Sequence, residues 1–283
     1  MADKQKAKKR WLFGRLRLRH KLGVSLSIAA LLPVILASWV AVSVVLRGLD
    51  KGLRDETDRQ LTVGLNLLVR QVERLGHEAV RLSSAGDLSV AMNRGEDAID
   101  QFLSRASPHL PSSLVQIADE NGEIVAERVI GGVGSRFSGL HATPLSPLVK
   151  AGLGLERRVT IIRVGDLLVV RAAAPIVDAS YMLQGVVLLT VPMDGEFADA
   201  VKSALGTDVL IYVGQGEGSE TAMSTFLDRN GARVLGIGVT PGIAEHIARG
   251  EGVLVNDTIQ GSEYAVGYTP LKDLDGENVG LFA

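Results

Sequence analysis

One uncharged stretch, residues 22–46, most restricts what this chain can be. It contains 25 residues without a single Asp, Glu, Lys or Arg. As a helix rising 1.5 Å per residue it would be about 37 Å long, enough to cross a hydrocarbon core of about 30 Å with some tilt. Pro33 lies inside it, which a transmembrane helix tolerates. We therefore predict a transmembrane helix over residues 22–46.

Two other interpretations of this stretch are less favourable. A cleaved signal peptide would have an apolar region of about 7–15 residues that ends at a small-residue cleavage site, and this stretch is longer. A buried core helix would show one apolar face, whereas this segment is apolar on all sides.

Charge is distributed unevenly around the predicted membrane helix. Residues 1–21 carry nine Lys or Arg and one Asp, a net of +8, although the whole chain has a net charge of −2. The positive-inside rule places this basic tail in the cytoplasm. Residues 47–283 are then extracytoplasmic, and the chain lies in the inner membrane of the cell. Because the basic charge lies outside the folded part and aromatic residues are only 4%, we expect no nucleic-acid partner.

Residues 47–107 are predicted to form a helical stalk. Apolar residues recur there at steps of three and four, which is typical of a seam on one helix face. Two interpretations are open and compatible: the seam packs on its own domain, or it joins two copies of the chain in a homodimer. The seam consists of Leu61, Leu65, Leu68, Val72, Leu75, Ala79 and Leu82.

After residue 107 the apolar period changes from helix to strand, and one order of elements occurs twice. Strand pairs with Gly-containing turns are predicted on either side of a short helix that ends near Gly152, and again around one that ends near Gly250. The spacing Pro-x2-Asp-x6-Gly occurs at Pro175 and again at Pro270. We predict an α+β fold with two antiparallel-sheet units in tandem, over 108–194 and 195–283, with the last strand incomplete.

Motifs for catalysis and cofactors are missing from the sequence. It has no Cys, no phosphate-binding loop, no zinc helix of the His-Glu-x2-His type and no Gly-x-Ser-x-Gly. Gly236 and Gly238 precede a short helix and then Asp257, an order found in dinucleotide sites, but a lone Gly-x-Gly is a weak signal. We interpret it as a strand end and helix entry, and predict no catalytic residue, cofactor or metal.

The order of elements, with three short motifs, resembles the extracytoplasmic double Cache (PAS-like) sensor of bacterial transmembrane receptors. The motifs are Val115-Gln-Ile-Ala-Asp119 through Gly122, Ala174-Pro175 to Gly185-Val-Val187, and Gly261 through Tyr264, Pro270-Leu271 and Asp273 to Gly280. The resemblance implies that the first unit is membrane-distal and binds a small ligand. It implies that the second unit is membrane-proximal and transmits the conformational change that ligand binding causes to a cytoplasmic output module.

One departure from that family bears on the ligand. The amino-acid-binding members share an Arg/Trp/Tyr motif and an Asp five residues after the glycine that matches Gly185. Here that position is Thr190, and no matching motif is present. The resemblance therefore gives no support to an amino-acid ligand.

A candidate ligand site follows from the hairpin around Gly165-Asp166. With these two residues as the turn, Thr160 faces Arg171, and Arg158 lies on the same sheet face, while Arg163 points to the other. Two guanidinium groups on one face favour a carboxylate between them. The alternative is that both lean into solvent or pair with Asp178 or Glu156. The predicted ligand-binding residues are Arg158, Thr160, Arg171, Asp178 and Tyr181.

The leading functional hypothesis is an extracytoplasmic input region that senses a small solute, most simply for a sensor histidine kinase. In this hypothesis the ligand closes the Gly-rich segment 131–139 and moves the second unit relative to the stalk. A chemotaxis transducer or a nucleotide cyclase input region is an alternative within the same class. From another class, the chain could be a complete membrane-anchored exported enzyme or scaffold.

The predicted topology is testable by protease accessibility. Protease added to intact spheroplasts should digest residues 47–283 while undigested chain stays with the membrane, because the +8 tail holds the N-terminus inside. Release of a soluble product that begins near Trp39 would contradict a retained anchor, and full protection of the chain would contradict the orientation.

Overall fold

The computed structural model describes residues 18–111, 113–131, 146–214 and 220–283. The chain divides after Glu56 into two compact units. The first helix, α1 (Leu18–Ser83), is 66 residues long and continues through the division. The other helices follow in chain order: α2 (Gly86–Arg94), α3 (Glu96–Ala106) with a 3₁₀ turn at Ser107–His109, α4 (Ser146–Leu153), α5 (Gly195–Leu205) and α6 (Pro241–Ala248).

The first unit contains the apolar part of α1. Its most apolar 18-residue window has a mean hydropathy of 2.1 and contains no buried residue. Among the described helices, only α1 is long and apolar enough to cross a membrane. Pro33 lies within the helix without ending it. Large apolar side chains such as Ile35 and Trp39 are exposed, so this stretch is not the core helix of its own unit.

The first sheet of the second unit has five antiparallel strands in the order β2-β1-β5-β4-β3. Both of its edge strands, β2 and β3, come from hairpins, and β5 pairs with β1 and β4 at the centre. Its strands are β1 (Ser113–Asp119), β2 (Ile124–Ile130), β3 (Arg158–Val164), β4 (Leu167–Val177) and β5 (Leu183–Pro192).

The second sheet repeats this topology as β7-β6-β10-β9-β8. The predicted α+β fold with two antiparallel-sheet units is therefore confirmed. Its strands are β6 (Leu210–Val213), β7 (Glu220–Ser224), β8 (Val253–Ile259), β9 (Ser262–Lys272) and β10 (Asn278–Phe282).

An aspartate turn occurs four times within residues that the structure describes, and it explains the Asp of the repeated spacing. In each copy the carboxylate accepts hydrogen bonds of 2.8–2.9 Å from the backbone N–H groups two and four residues later. Such local bonds are the reason that Asp favours turns. The four residues are Asp119, Asp178, Asp228 and Asp273.

The glycine of the repeated spacing is required by close strand packing. A Cβ atom on Gly185 would lie 2.1 Å from the carbonyl oxygen of Ala118, and one on Gly280 would lie 2.4 Å from that of Tyr212. Gly185 also has φ +156°, which side chains rarely adopt. The same contact between the strands thus recurs in both sheets.

The Gly236-Ile-Gly238 segment does not directly follow a regular strand, as the dinucleotide-binding order would require. Residues 234–237 lie in no regular strand, which differs from the predicted strand end, while α6 begins at Pro241 as expected. Asp257, on β8, accepts a 2.8 Å hydrogen bond from the Tyr268 hydroxyl. Its carboxylate is therefore used within the second sheet.

The apolar seam of α1 packs on the sheets of its own unit. Leu68, Leu75, Ala79 and Leu82 are buried, and they share one core with residues of both sheets, such as Val187 and Phe282. Of the two interpretations of the seam, packing on its own domain is confirmed. Because these side chains are already covered, the seam cannot also be the dimer interface in this conformation.

The role of the seam can be measured by truncating it. Leu75→Ala should lower the free energy of unfolding by about 2–5 kcal/mol, since it leaves a cavity in a core. Val69→Ala, on the exposed side of the same helix with 49% exposure, should change it by no more than about 0.5 kcal/mol. Urea denaturation of the full chain in nanodiscs measures both. If the loss from Leu75→Ala varied with protein concentration, the seam would lie between copies instead.

Candidate functional site

A group of buried polar side chains lies on the first sheet, on the face turned away from α1. Arg171 is in the middle of β4, with Thr160 of β3 and Thr190 of β5 directly opposite. The exposed fraction is 2% for Arg171 and 0% for Thr190. Arginine is almost never fully buried unless it is paired, so this position calls for a chemical explanation.

The alternation of side chains along β4 fixes which face carries Arg171. Its neighbours Val170 and Ala172 belong to the core shared with α1, so Arg171 points to the opposite face. Helix α4 packs on that face through Leu148 and Val149. The arginine thus lies on the face that α4 helps to cover, and it is buried there rather than extended into solvent.

Hydrogen bonds connect the arginine to a carboxylate through a neutral amide. Arg171 Nη2 donates to Gln116 Oε1 on β1, and Gln116 Nε2 donates to Glu127 Oε2 on β2 at 2.7 Å. Two further buried atoms, Arg171 Nε and Thr190 Oγ1, have no hydrogen-bond partner in the described part of the chain. Buried polar groups without a hydrogen-bond partner are rare in proteins, and each one needs a physical explanation.

Burial sets the electrostatics of this cluster. Desolvation lowers the pKa of Arg171 to about 10, and the charge of Glu127 only partly opposes that shift. The guanidinium therefore remains protonated at neutral pH, in a medium that favours an anion beside it. Planar Arg donors match a carboxylate or a phosphate geometrically. The described residues contain no group of three His, Asp or Glu that could hold a metal ion.

Two of the five predicted site residues, Arg171 and Thr160, lie in this cluster. The predicted register is the observed one, with Thr160 opposite Arg171 and Arg158 opposite Ala173. Thr160 donates to its neighbour's carbonyl, that of Ile161, at 3.2 Å. Arg158 shares the face but is exposed, and its Nε donates to Glu156 Oε2 at 3.1 Å. The pairing with Glu156 is the alternative that the sequence left open for this arginine.

The structure does not bring Asp178 and Tyr181 to the arginine. Asp178 forms one of the four aspartate turns, seven residues and hence about 23 Å along the strand from Arg171. Tyr181 occupies the fourth position of that turn at φ +62°, where the other three copies have Gly122, Gly231 and Gly276, and its side chain is 85% exposed. Their predicted ligand contact would need a second site at the turn.

Three members of the cluster were not predicted: Gln116, Glu127 and Thr190. Gln116 and Thr190 are single polar residues within apolar runs, Leu114–Ala118 and Val186–Val191, that are buried except for the half-buried Val191. That contrast is the signal by which they could have been found. Glu127 lies on an edge strand of mixed polarity and gives no such signal. The predicted closure of segment 131–139 falls, apart from Gly131, outside the described residues.

Comparison with known families identifies the chain. A family model described as the double sensory domain of two-component sensor kinases matches residues 53–283. The chain belongs to this double Cache family. Residues 53–283 are accordingly an extracytoplasmic sensory domain that serves signal transduction, and the resemblance stated above is confirmed.

Solved structures that are similar to this chain come from bacterial receptors. The periplasmic domain of Vibrio cholerae LuxQ is 11% identical with a TM-score of 0.50, over 80% of this chain and 97% of that one. The sensor domain of the V. cholerae histidine kinase DctB is 11% identical with a TM-score of 0.47, over 82% and 96%. The Pseudomonas fluorescens chemoreceptor CtaA, solved with L-isoleucine, is 14% identical with a TM-score of 0.43, over 84% and 94%. Comparison with curated protein sequences finds no match.

The unpartnered hydroxyl of Thr190 gives a stability test of the cluster. Thr190→Val should raise the free energy of unfolding by about 1 kcal/mol, because it removes a buried hydroxyl without a partner. Thr225 is the matched control: it is also buried, accepts from Val209 N at 2.8 Å and donates to Asp208 Oδ1 at 2.9 Å. Thr225→Val should lower the free energy of unfolding by about 1–3 kcal/mol, because it leaves the partners of the hydroxyl unsatisfied. If urea denaturation showed that Thr190→Val and Thr225→Val lose the same free energy of unfolding, the Thr190 hydroxyl would have a hydrogen-bond partner.

Proposed function

We propose that this chain is the input region of a sensor histidine kinase of the inner membrane. In this proposal the N-terminal tail is cytoplasmic, α1 crosses the membrane, and the first sheet is the membrane-distal unit. The family supports the kinase assignment, and the charge difference across residues 22–46 supports the orientation. The coding region beyond Ala283 discriminates among a kinase, a chemotaxis transducer, a cyclase and a complete anchored enzyme or scaffold.

We further propose that the ligand is a small solute that bears a carboxylate and binds at the Arg171 cluster. The observation that carries this proposal is the pair of buried, unpartnered donors on neighbouring strands, Arg171 Nε and Thr190 Oγ1. A carboxylate can accept from both, whereas the guanidinium has only the amide of Gln116 as its described partner. A charge-assisted hydrogen bond contributes about 1.5–3 kcal/mol. Of the predicted set, Arg171 and Thr160 remain at this site, and Arg158 lies at its edge.

We also propose a homodimer that forms through the outward side of α1. The seam is covered by the sheets, but Val63, on the opposite side of the same helix, is 42% exposed. In this proposal ligand binding shifts the packing of α1 against the first sheet between two states.

The ligand proposal is tested by calorimetry on single-charge variants. The full chain in nanodiscs is titrated or melted with acetate, propionate, lactate and malonate, and with the neutral amides of the first two as controls. At least one acid should raise the melting temperature of the wild-type chain, and Arg171→Gln should abolish that rise because the buried cation is lost.

Arg163→Gln is the matched control for Arg171→Gln. Arg163 is on β3, is exposed, and donates from Nε to the carbonyl of Gly165 at 2.9 Å. This variant should retain the response to the acid. An acid that stabilises Arg171→Gln as much as wild type would show that the site lies elsewhere, and no response to any acid would contradict the carboxylate class.

A further inference from the structure

A cavity lies on the side of the first sheet opposite the arginine cluster, between that sheet and α1. Its volume is about 330 Å³, within the range of small-molecule sites. Its walls come from α1, the segment after α3, the adjoining ends of β4 and β5, and the start of α5. Because Val170 and Val191 face α1 while Arg171 faces away from it, this cavity is separate from the arginine cluster.

The floor of the cavity is apolar. Val170 and Val191 are directly opposite each other on β4 and β5, and Leu75 of α1 and Phe197 of α5 lie beside them. A surface of this kind binds the apolar body of a molecule by removing it from water, at about 25 cal/mol for each Å² that is covered.

One positive charge at the cavity has no ion-pair partner among the described residues. Glu78 and Arg74 both line it from α1. The carboxylate of Glu78 forms an ion pair with Arg81, whose Nη2 lies 2.6 Å from Glu78 Oε2, although this buried oxygen accepts no hydrogen bond of good geometry from the described residues. Arg74 makes no hydrogen bond or ion pair with any described residue. The charge presented to an occupant is therefore that of Arg74, with the amide of Gln71 one turn away on the same side of the helix.

The outer wall of the cavity is held in place. It is the short segment that contains Pro108 and Pro111, whose rings fix the backbone φ angle. The same Arg81 that pairs with Glu78 also donates from Nη2 to the carbonyl oxygen of His109 at 3.4 Å. A site with a rigid wall loses less conformational entropy when a ligand binds.

We propose that this cavity is a second ligand site, which takes a small monocarboxylate with an aromatic or branched apolar body. The carboxylate pairs with Arg74, and the apolar body covers Val170, Val191 and Phe197. The occupant would contact α1, the first sheet and the helix that leads into the second sheet at the same time. Binding here would therefore tighten the three elements through which the two sheets are joined.

The test uses phenylacetate as the probe and isothermal titration calorimetry on the full chain in nanodiscs, with empty nanodiscs subtracted. Phenylacetate should bind the wild-type chain, and Arg74→Gln should weaken binding about tenfold or more, as expected for the loss of one charge-assisted contact. Phenylacetamide, which lacks the charge, should bind wild type and Arg74→Gln equally weakly.

Three further variants distinguish binding in this cavity from binding elsewhere on the chain. Arg70→Gln removes an exposed charge one turn earlier on α1, outside the cavity, and should leave binding unchanged. Arg171→Gln should also leave it unchanged, whatever becomes of the first proposed site. Leu110→Trp should fill the cavity from its outer wall and reduce binding without altering the buried strands.

Several results would overturn the proposal. Binding of phenylacetate that is equal in Arg74→Gln and wild type would remove the charge recognition on which it rests. Loss of binding in Arg171→Gln would assign the probe to the arginine cluster. Absence of binding to the wild-type chain would show that the cavity does not take this class of molecule.

Discussion

The packing of α1 against both sheets is the contact on which the rest of the second unit depends. One helix face contributes Leu68, Leu75 and Leu82 to a single core that includes strands of the first and the second sheet. Full burial of each such side chain stabilises the fold by roughly 1.5–3 kcal/mol. Without that helix each sheet would expose part of its apolar face to water, which is unfavourable. A change in the packing of α1 on the first sheet therefore also changes its packing on the second sheet.

The two sheets share their topology and their aspartate turns but differ in the polar groups they bury. In the second sheet the Tyr268 hydroxyl donates to Asp257, and burial together with nearby groups raises the pKa of Tyr268. That tyrosine is satisfied within the protein. In the first sheet Arg171 is buried with an unpartnered Nε and only an amide as its described acceptor. The unbalanced charge makes the first sheet the better candidate for a site whose stability depends on a bound anion.

A buried cation of this kind costs stability when its site is empty. The free energy needed to desolvate a guanidinium is recovered only if an anion and further hydrogen bonds complete the site. A ligand that supplies them binds the ordered state better than a loosened one, which is the differential affinity that any sensor requires. Arg171 lies on β4 between Val170 and Ala172, and these two residues belong to the core shared with α1. The strand therefore connects the chemistry at Arg171 on one face of the sheet with the packing on α1 on the other face.

The sequence by itself determined the order of elements, the two-sheet repeat and the register of the β3–β4 hairpin. Periodicity reports which side of an element is apolar, and Gly165-Asp166 fixed the turn, so Thr160 could be placed opposite Arg171 from spacing alone. The sequence likewise showed the apolar seam of α1. It could not show what covers that seam, because its own sheets and a second copy of the helix would both require the same spacing.

Only the tertiary structure decided which polar groups meet. Gln116 lies 55 positions before Arg171 in the chain and contacts it because β1 and β4 both pair with β5. Arg158 and Arg171 share a sheet face, yet one is exposed beside Glu156 and the other is buried. Burial depends on the layer that packs over each strand position, and that layer is assembled from distant segments of the chain. Local spacing therefore specified the strands, whereas the long-range contacts specified the chemistry of the site.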